Sequence, residues 1–228
     1  MNEQPRRKSL EDFIHLTPPQ SQVLRIFHDD PVLRDHFYFT GGTLLKALGI
    51  VPRESNDLDF FTFPEVDPMT FTGLVSHAHG LLIDIFGAKN LVNAPKGFIH
   101  QESGMIIEFI SDQIGSIAVG ESYGELKISS LEDLAANKAS ALCCRDEIKD
   151  LIDVAFLTRH QGWKIADLAR FAEQKFQIGT ISEEKIFEEL SAKWEMFEIP
   201  AEIFLADGAQ HQHFVEQQVQ ELLQSFQL

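Results

Sequence analysis

The spacing of apolar positions changes near residue 129. Before it, apolar residues come in short runs broken by Gly, Pro, Asp and Asn; after it, they recur at helical spacing nearly to the end. The pattern predicts a mixed α/β half followed by a helical half. Thr17-Pro18 reads as a helix start, with Thr as the cap and Pro in the first turn. Val23, Leu24 and Phe27 continue that helix until Asp29-Asp30-Pro31 ends it. A short strand is expected over 36–39, broken by Thr40-Gly41-Gly42. A short helix over 43–48, a loop over 51–56, a strand over 57–63 and a helix over 67–78 follow. The apolar runs 81–86 and 88–92 fit either helix or strand. Two strands, 97–100 and 105–110, predict a hairpin turning at Glu102-Ser103-Gly104, and 125–128 predicts one more strand. Helices are expected over 130–144, 146–160, 164–176, 182–196 and 212–226, with Ser130 capping the first. Residues 1–16 form a lead-in that is expected to be partly disordered.

The 228 residues suit a core domain with a smaller appended one, expected as an α/β domain over 1–128 and a helical domain over 129–228. Phe occurs 19 times against 2 Trp and 2 Tyr, which predicts a core rich in phenyl rings. The formal charge of −16 repels nucleic acid and anionic membrane unless a local basic patch exists. Arg25, Arg34, Lys46, Arg53 and Lys138 are the candidates for such a patch. The same charge repels a nucleotide at long range, so a nucleotide site would need metal ions. The two cysteines, Cys143 and Cys144, are adjacent and cannot form an ordinary disulfide, which favours a reducing compartment. With neither an apolar signal core nor a run approaching ~20 apolar residues, the expected address is the cytoplasm, with no membrane partner.

The order strand, Gly41-Gly42, short helix, loop, Asp57-Leu58-Asp59 carries the chemistry. Two glycines after a strand allow a tight turn and close approach to a ligand. The helix that follows aims its N–H groups at that point, where Thr43 could add a hydroxyl. Residues two apart on a strand share a face, so Asp57 and Asp59 project together with Leu58 turned inward. Paired carboxylates are hard oxygen ligands suited to Mg²⁺ or Mn²⁺, which also bind triphosphate oxygens. Glu108, the charged residue in the apolar run Met105–Ile110, is a candidate third carboxylate. Each part alone also fits a simple turn, a loop anchor or an edge-strand charge; the combination is what specifies a site. His77-x-His79 and His211-x-His213 lie two apart on expected helices, where side chains do not face each other, so neither reads as a metal site.

The stretch Phe39-Thr40-Gly41-Gly42-Thr43-Leu44-Leu45, then Arg53-x-Ser55-x-Asp57-Leu58-Asp59-Phe60-Phe61, resembles the AbiEii/AbiGii toxin family of the polymerase-β-like nucleotidyltransferase superfamily. A second stretch agrees: Leu131 to Lys138, Ala141-Leu142, Arg145, then Lys149-Asp150-Leu151-Ile152-Asp153. The resemblance covers roughly residues 35–160. It implies metal ligation by Asp57 and Asp59, with Glu108 placed by strand order as the third carboxylate. It implies that Gly41, Gly42, Thr43, Arg53 and Ser55 bind the nucleotide. Lys138 would reach a phosphate or the nucleotide, and Asp150 would be a further acid of the site or orient Lys138, so that the helical domain contributes to it. The expected function is transfer of an NMP from an NTP to a hydroxyl or phosphate acceptor on RNA or protein, with a partner antitoxin. Two alternatives are a glycosyltransferase that holds a metal with Asp-x-Asp and a non-catalytic nucleotide-binding protein of the same fold. The loop Pro52-Arg53-Glu54-Ser55-Asn56 before the acidic pair, where a glycosyltransferase usually has an apolar strand, disfavours the first; the intact carboxylate pair disfavours the second.

Overall fold

The computed structural model describes residues 8–118, 120–177 and 181–226; the expected lead-in lies outside them over residues 1–7. The chain divides into two compact units. One comprises Met1–Leu48, Ser55–Gly115 and Val119–Ser129, the other Gly49–Glu54, Ser116–Ala118 and Ser130–Leu228.

In the first unit, helix α1 (Pro18–Asp29) starts as expected: Thr17 Oγ1 accepts from Gln20 N–H at 3.4 Å, and Gln20 Oε1 accepts from Thr17 N–H at 3.0 Å. Asp30-Pro31 does end it, but also starts a second helix. Asp30 Oδ1 accepts from Leu33 N–H at 2.9 Å and Pro31 opens α2 (Pro31–His36), an element that the pattern of apolar positions does not reveal in six residues. Strand β1 (Phe37–Thr40) leads into α3 (Gly41–Ala47), and β2 (Asp57–Thr62) alternates half-buried and buried. Helix α4 (Pro68–Phe86) runs past 78, absorbs the ambiguous run 81–86 and stops at Gly87, whose φ of +80° a helix cannot continue. Strands β3 (Leu91–Ala94), β4 (Gly97–His100) and β5 (Met105–Ile110) follow, then the short pair β6 (Ser122–Tyr123) and β7 (Leu126–Lys127).

The sheet has the order β1-β2-β5-β4-β3, mixed because β2 and β5 run parallel and the other neighbours antiparallel. Its buried face carries the expected phenyl core. Phe27 of α1 stacks on Phe60 of β2 at 3.6 Å between centroids, and Phe37 and Phe98 meet Phe109 edge to face. Burying each ring contributes roughly 1.5–3 kcal/mol, so this layer fixes the strand that carries the acidic pair on its opposite face.

The second unit is helical: α5 (Leu131–Cys144), α6 (Ile148–Gln161), α7 (Ile165–Phe176), α8 (Glu183–Met196) and α9 (Gly208–Phe226). Ser130 caps α5, accepting from Asp133 N–H at 3.0 Å. The fully buried Asp133 is paired with Lys175 Nζ at 2.8 Å and accepts from Ile117 N–H at 3.1 Å, which ties the segment 116–118 into this unit. Segment 49–54 joins it through backbone bonds from Leu205 N–H to Pro52 O at 3.0 Å and from Glu54 N–H to Ile203 O at 2.9 Å. Among the described residues no helix is long and apolar enough to cross a membrane.

Candidate active site

Strand register assembles the acidic row. Asp57 and Asp59 are half-buried on one face of β2, while Leu58 and Phe60 are buried on the other. The parallel register sets Glu108 of β5 directly beside Asp59, and Glu108 is half-buried on the same face. Across β1, Thr40 is the partner of Asp59. Among the described residues no three His, Cys, Asp or Glu side chains gather closely enough to hold an ion by themselves. The row is therefore a set of neighbours and not a closed cage.

Gly41 was expected to bring the backbone close to a ligand; it also makes a close approach inside the protein. Its φ is +82°, and a Cβ there would lie 1.9 Å from Asp59 Oδ2. The missing side chain makes room for the Asp59 carboxylate itself, so the glycine and the acid form one local unit. The Thr40 hydroxyl beside it is buried without a hydrogen-bond partner.

The loop between α3 and β2 is fixed from below. Lys46, 1% exposed, donates to Ser55 O at 2.8 Å, and Gln20 Nε2 donates to the same carbonyl at 3.0 Å. Thr43, expected to offer its hydroxyl to the nucleotide, is fully buried; its Oγ1 bonds to Ser55 Oγ at 2.9 Å and to the Asp57 carbonyl. It therefore holds the half-buried Ser55 and the start of β2. Lys46 was a candidate only for a surface patch and Gln20 was not considered; a polar side chain at a helical position where the spacing calls for an apolar one is the signal that marks both.

In the helical unit, a buried ionic cluster surrounds Lys138. Its Nζ lies 2.6 Å from Asp153 Oδ2 and 3.3 Å from Asp150 Oδ1. Arg53 forks onto Asp153, with Nε and Nη2 each 2.7 Å from a carboxylate oxygen. Arg145 forks onto Asp150 at 2.7 and 2.9 Å. Burial pulls the Lys138 ammonium toward neutrality, but the Asp153 and Asp150 carboxylates outweigh it and hold its pKa above the ordinary lysine value. Burial likewise pushes Asp153 up, and Lys138 and Arg53 outweigh that and hold it below the usual carboxylate range. Arg53, expected to bind nucleotide, is 4% exposed, and its third nitrogen donates to Glu54 O at 2.8 Å. Asp153, spaced i+3 from Asp150 in the motif, is the closer partner of Lys138.

Of the five candidates for a basic patch, Lys46, Arg53 and Lys138 are buried, which leaves Arg25 exposed and Arg34 half-buried. The paired histidines serve packing and local contacts instead, His79 stacking on Phe98 at 4.3 Å and His77 bonding Asp30 at 3.0 Å.

The structure sets a strand, a Gly-Gly turn and a short helix against an Asp-x-Asp strand in a mixed sheet, the arrangement that the resemblance to nucleotidyltransferases implies. The family model of the nucleotidyl transferase AbiEii toxin, type IV toxin–antitoxin system, matches residues 23–225. The chain belongs to this AbiEii family, and the match extends well beyond the stretch 35–160 that the motifs cover. This membership supports nucleotidyl transfer and disfavours the glycosyltransferase alternative. The uncharacterized protein aq_aa25 of Aquifex aeolicus (strain VF5) is 27% identical over 176 residues, covering 71% of this chain and 82% of that one. Two solved Helicobacter pylori structures are similar. JHP933 has a TM-score of 0.47 and 15% identity, covering 90% of this chain and 91% of its own. A provisionally assigned nucleotidyltransferase has a TM-score of 0.49 and 16% identity, covering 90% and 94%.

Proposed function

We propose that the protein transfers an NMP from an NTP to a hydroxyl or phosphate acceptor on RNA or protein, in a metal-dependent reaction, as a toxin opposed by an antitoxin. The observation that carries this reading is the pair Asp57 and Asp59 on one strand face, with Gly41 leaving room for the Asp59 carboxylate. The donor set fits a hard divalent cation: all ligands are carboxylate oxygens, with the unpartnered Thr40 hydroxyl beside them. Asp57 and Asp59, with Glu108 beside them, would hold Mg²⁺ or Mn²⁺, which would offset triphosphate charge and assist the attacking hydroxyl and departing pyrophosphate.

The chain's own residues then divide the work. Gly41 and Gly42 line the triphosphate. Ser55, set in place by Thr43, Lys46 and Gln20, offers its hydroxyl to a phosphate. Lys138 meets a phosphate as a cation and Asp150 orients it. Thr43 and Arg53 act through the residues that they hold.

The test is NTP consumption in the presence of Mg²⁺. Asp57→Ala and Asp59→Ala should each lower it by about 100-fold or more, since a lost metal ligand removes several kcal/mol of transition-state stabilisation. Circular dichroism should show both variants folded. Undiminished consumption in either folded variant contradicts the assignment.

A further inference from the structure

We infer that Arg53 and Asp153 are positioning residues for Lys138: the Arg53 fork fixes the Asp153 carboxylate, and that carboxylate fixes the ammonium where it meets the triphosphate. The inference rests on the reading of Lys138 as a phosphate ligand.

A lysine side chain ends in a mobile point charge on a flexible stem, so it contributes most to binding when its surroundings leave it one place to be. Here Lys138 Nζ is caught between Asp153 at 2.6 Å and Asp150 at 3.3 Å. Neither carboxylate is free to follow it. Arg53 holds both oxygens of Asp153 at 2.7 Å, and Arg145 holds both oxygens of Asp150. A planar guanidinium fork sets the carboxylate orientation as well as its distance. Arg53 is anchored in turn by its own bond to Glu54 O at 2.8 Å and by the backbone pairing of its loop with the stretch 203–205. The two arginines are not equivalent. Arg145 is 45% exposed in its side chain, whereas Arg53 is 4% exposed and Asp153 0%. The Arg53–Asp153 pair is the inner, rigid side of the clamp.

The two other buried lysines on helices packed against α5 are committed elsewhere. Lys175 of α7 is bound to Asp133, and Lys193 of α8 to Glu189 and Asp146. A buried ion pair can also be purely structural, in which case well-packed apolar residues replace it at little loss. The two roles differ in what happens to phosphate binding when the pair is replaced.

The experiment titrates inorganic triphosphate with Mg²⁺ into four proteins by calorimetry: wild type, Lys138→Ala, the double variant Arg53→Met/Asp153→Leu, and the triple combination. Lys138→Ala should weaken binding roughly 10- to 100-fold, as expected for a lost charged hydrogen bond. The double variant should weaken it roughly 10-fold or more, because small misplacements of a binding group are costly. In the triple variant Lys138→Ala should add almost nothing, since its effect depends on the clamp. Wild-type affinity in the folded double variant, or a full additional loss in the triple, overturns the inference while leaving Lys138 as a phosphate ligand. Wild-type affinity in Lys138→Ala overturns that reading itself and the inference with it. If the double variant does not fold, Arg53→Lys, which keeps the charge and loses the fork, takes its place with the same expected weakening and the same overturning result.

Discussion

At the residue scale, Gly41 has a structural role that its motif does not reveal. The doubled glycine after β1 marks a site in the sequence because such turns approach ligands closely. The structure adds that the first glycine makes room for a protein carboxylate: a methyl group at Gly41 would sit 1.9 Å from Asp59 Oδ2. Nothing in the chain order links residues 41 and 59; only the antiparallel register Thr40↔Asp59 does. Gly41→Ala therefore combines two effects. It forces an alanine to a φ of +82°, costing about 1–2 kcal/mol, and it displaces the carboxylate. We expect thermal unfolding to register a loss of that order, and Mg²⁺-dependent NTP consumption to fall much further than stability. Activity preserved in proportion to folded protein would show that Asp59 tolerates displacement. The same limit on local reading applies to Arg53. Its place in the Arg-x-Ser-x-Asp motif suggests nucleotide contact, but its partner Asp153 lies 100 residues away.

At the element scale, the helices of the second half are legible because each has an amphipathic stripe several turns long, and predicted and observed bounds differ by a few residues. The first half is less so. Helix α2 is six residues long, too short to establish a period, and its cap, Asp30, is also the residue that ends α1. Helix α4 was expected to end near Ala78, yet it continues through Gly80 to Phe86. Gly80 and Gly73 sit on its exposed side, and a Cβ at either would meet nothing within 4 Å. Each glycine therefore retains the backbone-entropy cost of its residue type with no packing reason for it. Gly73→Ala and Gly80→Ala should each stabilise the protein by about 0.5–1 kcal/mol in urea unfolding, with an unchanged slope. A loss of stability at either position would mean that the helix requires a local bend there.

At the scale of the whole molecule, charge limits how the acceptor is recognised. The formal charge is −16, and folding makes the surface balance no more favourable to a polyanion, because Lys46, Arg53, Lys138, Lys175 and Lys193 are all buried. Three of these were candidates for a basic patch in the sequence, where a lysine committed to an internal carbonyl or carboxylate looks the same as an exposed one. Each phosphate neutralised by a protein cation makes binding fall with salt at a slope of roughly 0.7–0.9 in logarithmic units. A protein with an extended basic track thus loses affinity steeply, whereas one without it has little to lose. Bulk tRNA should therefore bind this protein weakly, and its affinity should change by less than about 10-fold between about 50 and 200 mM salt in a filter-binding assay. A steeper dependence would require several phosphate contacts and would place an RNA track on the surface. The predicted shallow dependence leaves an RNA acceptor to be selected by the local chemistry of its reacting end beside Asp57 and Asp59, where the carboxylates repel a polyanion unless a cation bridges them.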